Sequence, residues 1–377
     1  MKKIGITYID SISSLGRGKE SWEAYKSGEH HLNGLMDLGA VYLNEKVRAD
    51  LESFLAQRPD LKRLDPSVHY ILYLAQELKS LSGKEMGLNM ASSRGATHLF
   101  ERYYDEFSKS DQKEVALLSS PTTTLGNLSS WLAHELNISG FEMSHSITCS
   151  SGLHAFINGV IWLESGRSDA FLVGASEASN TPFTLKQMAA LKICQFDDTE
   201  DFPVRALDFE KKRNTMAVGE GAALVLLENE TEKALCYVSG VGYATELVEH
   251  PASISARATC FQKSMKMALM DADLDTVDVI VMHAPGTIKG DLSEWNAIED
   301  VFGPERVPAL TNNKWNIGHT LGASGIHSLE MGVLMLMHNS FIPNPFLNQD
   351  FPENIDTVLV NAVGFGGNAV SVVLSRN

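Results

Sequence analysis

Ser146-Ile147-Thr148-Cys149-Ser150-Ser151-Gly152-Leu153-His154-Ala155 is the stretch on which the reading of this chain turns. A β-leaning segment from Met143 runs into small residues and then into a helical pattern, in which Leu153, Phe156, Ile157, Val160 and Ile161 recur before Gly166. The expected local structure is a strand, a tight turn and a helix. Cys149 then stands at the helix N-terminus, where unpaired backbone N–H groups and the positive end of the helix dipole favour a thiolate and can donate to an oxyanion. The competing reading of Cys149 is a small buried hydrophobe, as most unpaired cysteines are. The rest of the chain decides between them.

With 377 residues and 44% hydrophobic content the chain can bury a large core, and its length suits two domain-sized units or one large duplicated one. A formal net charge of −16 argues against nucleic-acid binding, which needs a basic face. The N-terminus, Met1-Lys2-Lys3-Ile4-Gly5-Ile6-Thr7-Tyr8, lacks the apolar core and cleavage site of a signal peptide, and no apolar run approaches membrane-spanning length. Cys149, Cys194, Cys236 and Cys260 are widely spaced with no C-x-x-C pair, so neither a zinc site nor a disulfide framework is indicated. A cytoplasmic, reducing location is the expectation.

Working outward, residues 3–9 read as a first strand and 84–91 as another, while 170–175 and 222–227 are apolar runs of the kind buried on both faces of a sheet. Residues 97–107 and 125–136 read as helices, and Asp65-Pro66-Ser67 reads as a helix start with Asp65 as N-cap. Residues 33–59 are polar and mixed and read as covering structure, and 195–203 as a polar loop. In the second half, strands are expected at 234–241, 277–282, 357–360 and 369–374, with helices through 261–269, 291–302 and 322–338. Strands alternating with helices in both halves indicate a layered α/β fold. Ser151-Gly152-Leu153-His154-Ala155-Phe156-Ile157-Asn158-Gly159-Val160 matches Ser324-Gly325-Ile326-His327-Ser328-Leu329-Glu330-Met331-Gly332-Val333 in its serine, both glycines, histidine and valine. That repeat points to a duplicated architecture with equivalent helix starts.

His283 ends the strand 277–282 and opens the loop His283-Ala284-Pro285-Gly286-Thr287-Ile288-Lys289-Gly290-Asp291, and strand ends are where ligand sites collect in parallel α/β sheets. His319 lies in the glycine-rich loop Lys314-Trp315-Asn316-Ile317-Gly318-His319-Thr320-Leu321-Gly322-Ala323-Ser324-Gly325. Among 12 histidines any single one reads as structural, and His145, His154 and His327 read as core or cap residues. Together, a cysteine at a helix start and two histidines in glycine-rich loops supply a nucleophile and two N–H donors or bases. Those are the parts for acyl transfer through a thioester. A metal site from the same three residues is the weaker alternative, because no i, i+3 or i, i+4 ligand pairing accompanies them. Gly364-Phe365-Gly366-Gly367-Asn368 lies between the last two strands, where its glycines permit a backbone approach to a ligand and a hairpin connection accounts for them equally.

These stretches together resemble the β-ketoacyl-acyl carrier protein synthases of the thiolase superfamily, in particular the elongating type with a Cys-His-His site. The resemblance runs nearly end to end. Thr148-Cys149-Ser150-Ser151-Gly152 is similar to the nucleophile elbow, Arg205-Ala206-Leu207-Asp208 and Gly219-Glu220-Gly221-Ala222 to the family's R-x-x-D and G-E-G-A segments, and Gly364-Phe365-Gly366-Gly367-Asn368 to its C-terminal glycine loop. Lys314 and His319 resemble its K-x-x-x-x-G-H arrangement with one residue fewer between lysine and glycine. Matched without gaps from Gly290-Asp291, His283 takes the first histidine position, Thr287 the second threonine and Glu294 the glutamate, while Pro285 replaces the first threonine. The glutamate of the following helix falls on Ser328, with Glu330 two residues on.

The resemblance implies an α/β, duplicated thiolase-like fold, layered α-β-α-β-α with two mixed five-stranded sheets, residues 1–230 carrying the cysteine and 231–377 the two histidines and the glycine loop. It implies an acyl group on Cys149, an oxyanion hole from the backbone N–H groups of Cys149 and Phe365, assistance to malonyl decarboxylation from His283 and His319, and electrostatic orientation by Lys314. Phe365 resembles the gate of the acyl pocket, and Thr287, Gly364 and Gly366 stand at substrate-binding positions. Lys62 and Arg63 fall where the family docks its acidic acyl carrier protein. Ser92-Ser93-Arg94-Gly95 replaces a glycine-rich loop near the far end of the pocket, so Arg94 disfavours long alkyl chains there unless paired and favours a specialised starter, as in polyene or polyketide synthesis. No cofactor or metal is implied. The partners implied are acyl- and malonyl-loaded carrier protein, with a homodimer or a heterodimer with a chain-length-factor-like subunit. The alternatives are a thiolase, suggested by Gly318-His319-Thr320-Leu321-Gly322-Ala323-Ser324-Gly325 but opposed by the Gly364-Phe365-Gly366-Gly367 loop, and a non-catalytic chain-length subunit, opposed by the presence of Cys149.

Overall fold

Apolar runs without a polar face make most of the strands, because helices cover them on both sides. A computed structural model describes every residue except 1–2, 34, 36–38, 82, 84, 195–200, 230, 248–253 and 377. In chain order the principal strands are β1 (Ile4–Ser13), β2 (Gly87–Ala91), β3 (Glu142–His145), β4 (Ala170–Glu177), β5 (Gly221–Asn229), β6 (Cys236–Thr245), β7 (Val279–Val281), β8 (Ala309–Thr311), β9 (Thr357–Gly364) and β10 (Asn368–Ser375). The helices that matter below are α1 (Pro66–Leu74), α2 (Asn127–Leu136), α3 (Ser151–Glu164), α4 (Thr259–Asp271), α5 (Ile288–Phe302) and α6 (Ser324–His338).

The strands run in the order β8-β7-β9-β10-β6-β1-β5-β4-β2-β3, with a two-residue strand at Gly16–Arg17 added beside β1. One motif is used twice. In each half the first strand pairs antiparallel with the fifth and the fifth antiparallel with the fourth. The fourth then pairs parallel with the second, and the second parallel with the third. The two five-stranded arrays are joined edge to edge, because β1 serves β5 along its length and also pairs Ile4, Gly5 and Ile6 with Val238, Tyr237 and Cys236 of β6. The two expected sheets therefore share one hydrogen-bonded seam.

Helices α3 and α6 fill the space between the arrays. Phe156 and Val160 of α3 and Ile326 and Leu329 of α6 share one core with Val173 and Val225 of the first array and Val281 and Val360 of the second. α6 is buried on nearly every side, which is why its sequence has no polar face. Outside, α1 and α2 pack on the first array through Ile71, Leu132 and Leu224, and α4 and α5 on the second through Phe261, Ile298 and Leu359. The layers are α-β-α-β-α. Gly152 and Gly325 let the central helices meet: a Cβ on Gly152 would lie 2.8 Å from Ile326 Cγ1, and one on Gly325 2.7 Å from Leu153 Cγ.

Local expectations depart in three places. The polar stretch read as covering structure contains a helix, Glu45–Gln57, whose start is capped by Asn44 accepting from the Lys46 and Val47 N–H groups and whose Val47, Leu51 and Phe54 are buried. α5 begins earlier than its apolar pattern suggested, because Thr287 caps it by accepting from the Gly290 N–H. The strand read from residue 84 runs from Gly87 as β2, Lys84 and residues 195–200 of the expected loop lying outside the described residues. Among the described residues no helix is long and apolar enough to cross a membrane.

Candidate active site

The chain leaves β3 at His145 and turns into α3 through Thr148, whose φ of 51° is in the left-handed region that a β-branched residue avoids. Hydrogen bonds hold the turn in that shape. Ser151 Oγ donates to Thr148 O at 2.6 Å and accepts from the Ile147 N–H at 2.7 Å, and Ser150 Oγ lies 2.7 Å from Asn368 Oδ1 and 3.0 Å from Ile147 O. Gly364, at the end of β9, has no Cβ because one would lie 3.0 Å from Ile147 O and overlap Thr148 Oγ1. The first half thus presents Cys149 against the last loop of the second. Cys149 is nearly buried, and burial followed by the carboxylate of Glu177 pushes its thiol up to about 12, with the Lys314 ammonium pulling the other way. Burial and the Glu177 carboxylate thus oppose the thiolate that the helix start was expected to favour.

His283 follows β7 and His319 lies in the loop before α6; both are buried, with ring centroids 5.1 Å apart at 83°. Burial and their cationic or cationisable neighbours hold both imidazoles neutral. His319 is lowered to about 3 by burial and Lys314, and His283 is lowered by burial, His319 and Lys314. Their Nδ1 atoms are buried without a hydrogen-bond partner among the described residues. The backbone of His283 is fixed by Glu294 on α5, which accepts the His283 N–H at 3.0 Å, the Ala284 N–H at 2.8 Å and Asn361 Nδ2 at 3.1 Å. Burial pushes this carboxyl up to about 7 despite those donors.

Lys314 is buried behind the histidines, with Nζ donating to Ser328 Oγ at 2.8 Å and Asn313 Oδ1 at 3.2 Å. Both bonded partners are neutral. Burial lowers its ammonium to about 8 against the opposing pull of Glu294, Cys149 and Asp291. Glu330 does not replace the glutamate absent at Ser328, because its carboxylate points away and accepts from Ser11 Oγ at 2.6 Å.

Cys149, His283 and His319 open on one mainly apolar cavity of about 540 Å³. Arg94, Thr287, Gly364 and Phe365 line it as well; Gly366 does not, and sits beyond the turn at φ 99°. Lys62 and Arg63 are exposed outside it, just before α1, with Arg63 over the Trp131 ring at 5.9 Å. Among the described residues no cluster of three histidine, cysteine or acidic side chains suits a metal ion.

Sequence reasoning missed Glu177, which ends β4 beside Cys149 and accepts from the N–H groups of Ser93 and Gly322, the latter at 3.2 Å. It is fully buried and pushed up to about 7. The signal available was its place at the C-terminal end of a buried strand, where α/β folds gather their sites. Ser328 and Asn368 were missed as partners of Lys314 and Ser150 because nothing local announces a contact made across the molecule.

Comparison with known proteins covers the chain from end to end. Residues 8–233 match the family model of the β-ketoacyl synthase N-terminal domain and residues 235–348 that of its C-terminal domain. The chain belongs to the β-ketoacyl synthases, which are acyltransferases. It is 25% identical to 3-oxoacyl-[acyl-carrier-protein] synthase 2 of Coxiella burnetii, over 100% of this chain and 99% of that protein. It is also 25% identical to a putative polyketide β-ketoacyl synthase 1 of Streptomyces cyaneus, over 99% and 98%. The fold matches a β-ketoacyl synthase from Burkholderia phymatum with a TM-score of 0.84 and 23% identity over 100% of both chains. It also matches the ishigamide ketosynthase/chain length factor with a TM-score of 0.84 and 19% identity, over 100% and 99%.

Proposed function

We propose that this β-ketoacyl synthase elongates an acyl chain by decarboxylative condensation with a malonyl group, both delivered as thioesters of an acyl carrier protein. The observation that carries the reading is the convergence of one thiol and two neutral imidazoles on a single cavity. The Cys149 thiol attacks the acyl thioester; its sulfur takes the acyl carbon, the bond to the carrier sulfur breaks, and the thiol proton leaves with the carrier thiol. The malonyl thioester then loses CO2, and the electron pair of the broken C–C bond passes to the thioester enolate. His283 and His319 donate hydrogen bonds to the enolate oxygen, a role that suits imidazoles held neutral in a dry site. The enolate carbon attacks the acyl group, a C–C bond forms, and the Cys149–acyl bond breaks to a thiolate that regains a proton from solvent.

In this reading the N–H groups of Cys149 and Phe365 hold the oxyanion, Phe365 gates the cavity, Thr287, Gly364 and Gly366 contact the carrier's arm, and Lys62 and Arg63 receive the acidic carrier. The name of the Coxiella burnetii relative supports the carrier. A second copy or a chain-length-factor-like chain joins at β3, one of the two ends of the sheet, beside which Phe141 and Ile161 are exposed. Four free thiols suit a cytoplasmic location.

Intact-protein mass after incubation with acyl-carrier thioesters tests the reading in wild type and Cys149→Ala. An adduct absent from the alanine variant and discharged by malonyl-carrier is the expected result. No adduct with any donor sinks the reading in favour of a partner subunit.

A further inference from the structure

The cavity around Cys149 is walled by apolar side chains such as Met188, Ile193, Met216 and Leu321, yet Arg94 lies in the same wall. Its loop is held from several sides. Ser92 Oγ accepts from the Gly95 N–H at 2.9 Å, Arg94 O accepts from Thr97 Oγ1 at 3.3 Å, Ser93 O accepts from Ser146 Oγ at 3.1 Å, and the Ser93 N–H donates to Glu177. The backbone that carries the Arg94 side chain at the cavity wall is therefore fixed. The described hydrogen-bond partner of the guanidinium is neutral, the Gln187 side-chain oxygen. Glu177, the nearby carboxylate, takes the backbone donors of Ser93 and Gly322 on Oε1, and neither of its oxygens is paired with Arg94 among the described residues. A guanidinium has more N–H groups than Gln187 can accept, and an alkyl chain laid against them displaces water without replacing its hydrogen bonds.

We propose that Arg94 selects the acyl group carried on Cys149, favouring chains with an oxygen acceptor at the end remote from the thioester over plain alkyl chains. The inference rests on the proposed condensing activity and names the substrate class of that site. A hydroxyl or carbonyl oxygen at the remote end receives a charge-assisted hydrogen bond from a donor already in place, so no side chain has to be ordered when substrate enters.

The test is a competition for Cys149. Carrier thioesters over a ladder of chain lengths, each with and without a terminal hydroxyl, are offered as pairs to wild type, Arg94→Met and Arg94→Lys, and initial adduct formation is read by intact mass. Wild type is expected to favour the hydroxyl-ended member at the matching length by roughly tenfold to a hundredfold. Arg94→Met is expected to lose that preference, and Arg94→Lys to keep part of it. Adducts forming on wild type without preference at any length overturn the role of Arg94 and leave the condensing activity standing, and so does an unchanged preference in Arg94→Met. No adduct from either member of any pair overturns the activity and this inference with it. If the methionine variant fails to fold, an absence of preference in wild type still overturns the inference, and so does a preference undiminished in Arg94→Lys.

Discussion

The two halves make the same turn for different purposes. Where Ser151 opens α3 and Ser324 opens α6, the residue three places earlier is in the left-handed region in both, Thr148 at φ 51° and Leu321 at φ 42°. One turn into each helix a histidine folds back on the same carbonyl: His154 Nδ1 lies 3.1 Å from Ser150 O, and His327 Nδ1 3.1 Å from Ala323 O. The difference falls on the residue after the strained one. In the first half it is Cys149. In the second it is Gly322, and the space a side chain would fill holds Glu177, whose Oε1 would lie 2.7 Å from a Cβ there. A duplicated turn thus became a nucleophile in one copy and a backbone donor to a carboxylate in the other, and that carboxylate faces the nucleophile.

Removing the feature unique to the first copy has the largest expected effect. Cys149→Ala should lower condensation by about a thousandfold or more, measured as product formed from acyl- and malonyl-carrier. Gly322→Ala gives the second copy a side chain where Glu177 sits, and should cost about 1–3 kcal/mol of stability in denaturant unfolding. A wild-type midpoint in that variant would mean that the second turn has room for a thiol and that the two copies are more alike than their sequences.

Three further variants act on the charges around the thiol. Ser328→Ala removes one of the two acceptors of the buried Lys314 ammonium, and malonyl decarboxylation should fall about threefold to tenfold. Because burial lowers Lys314 to about 8, the alkaline limb of the pH profile should already lie near that value in wild type and move lower in the variant. Ser328→Glu, which supplies a counter-charge, should move it higher. Glu177→Gln removes a negative charge that opposes the thiolate, so the pH dependence of Cys149 alkylation should shift down by about one unit. An unshifted profile would deny the electrical link between the copies.

What the sequence disclosed follows from what is local. Helical spacing after Cys149, the apolar runs of β4 and β5 and the Asp65-Pro66 start of α1 are each written within a few residues, and each formed. The helix Glu45–Gln57 was equally local, since Asn44 followed by Val47, Leu51 and Phe54 is a cap and a stripe, but its charged residues masked the period. What opposes the thiolate was beyond local reading, because the helix start is visible in sequence and the burial and Glu177 are not. The seam between β1 and β6 joins strands whose separate patterns say nothing about which edges meet.

The hydrogen bond from Ser150 to Asn368 spans 218 residues. Together with the close approach of Gly364 to Thr148, it clasps the strained turn of one half to the glycine loop of the other. The thiol therefore doubles as a gauge of docking: any loosening between the halves is felt first in the backbone that carries it.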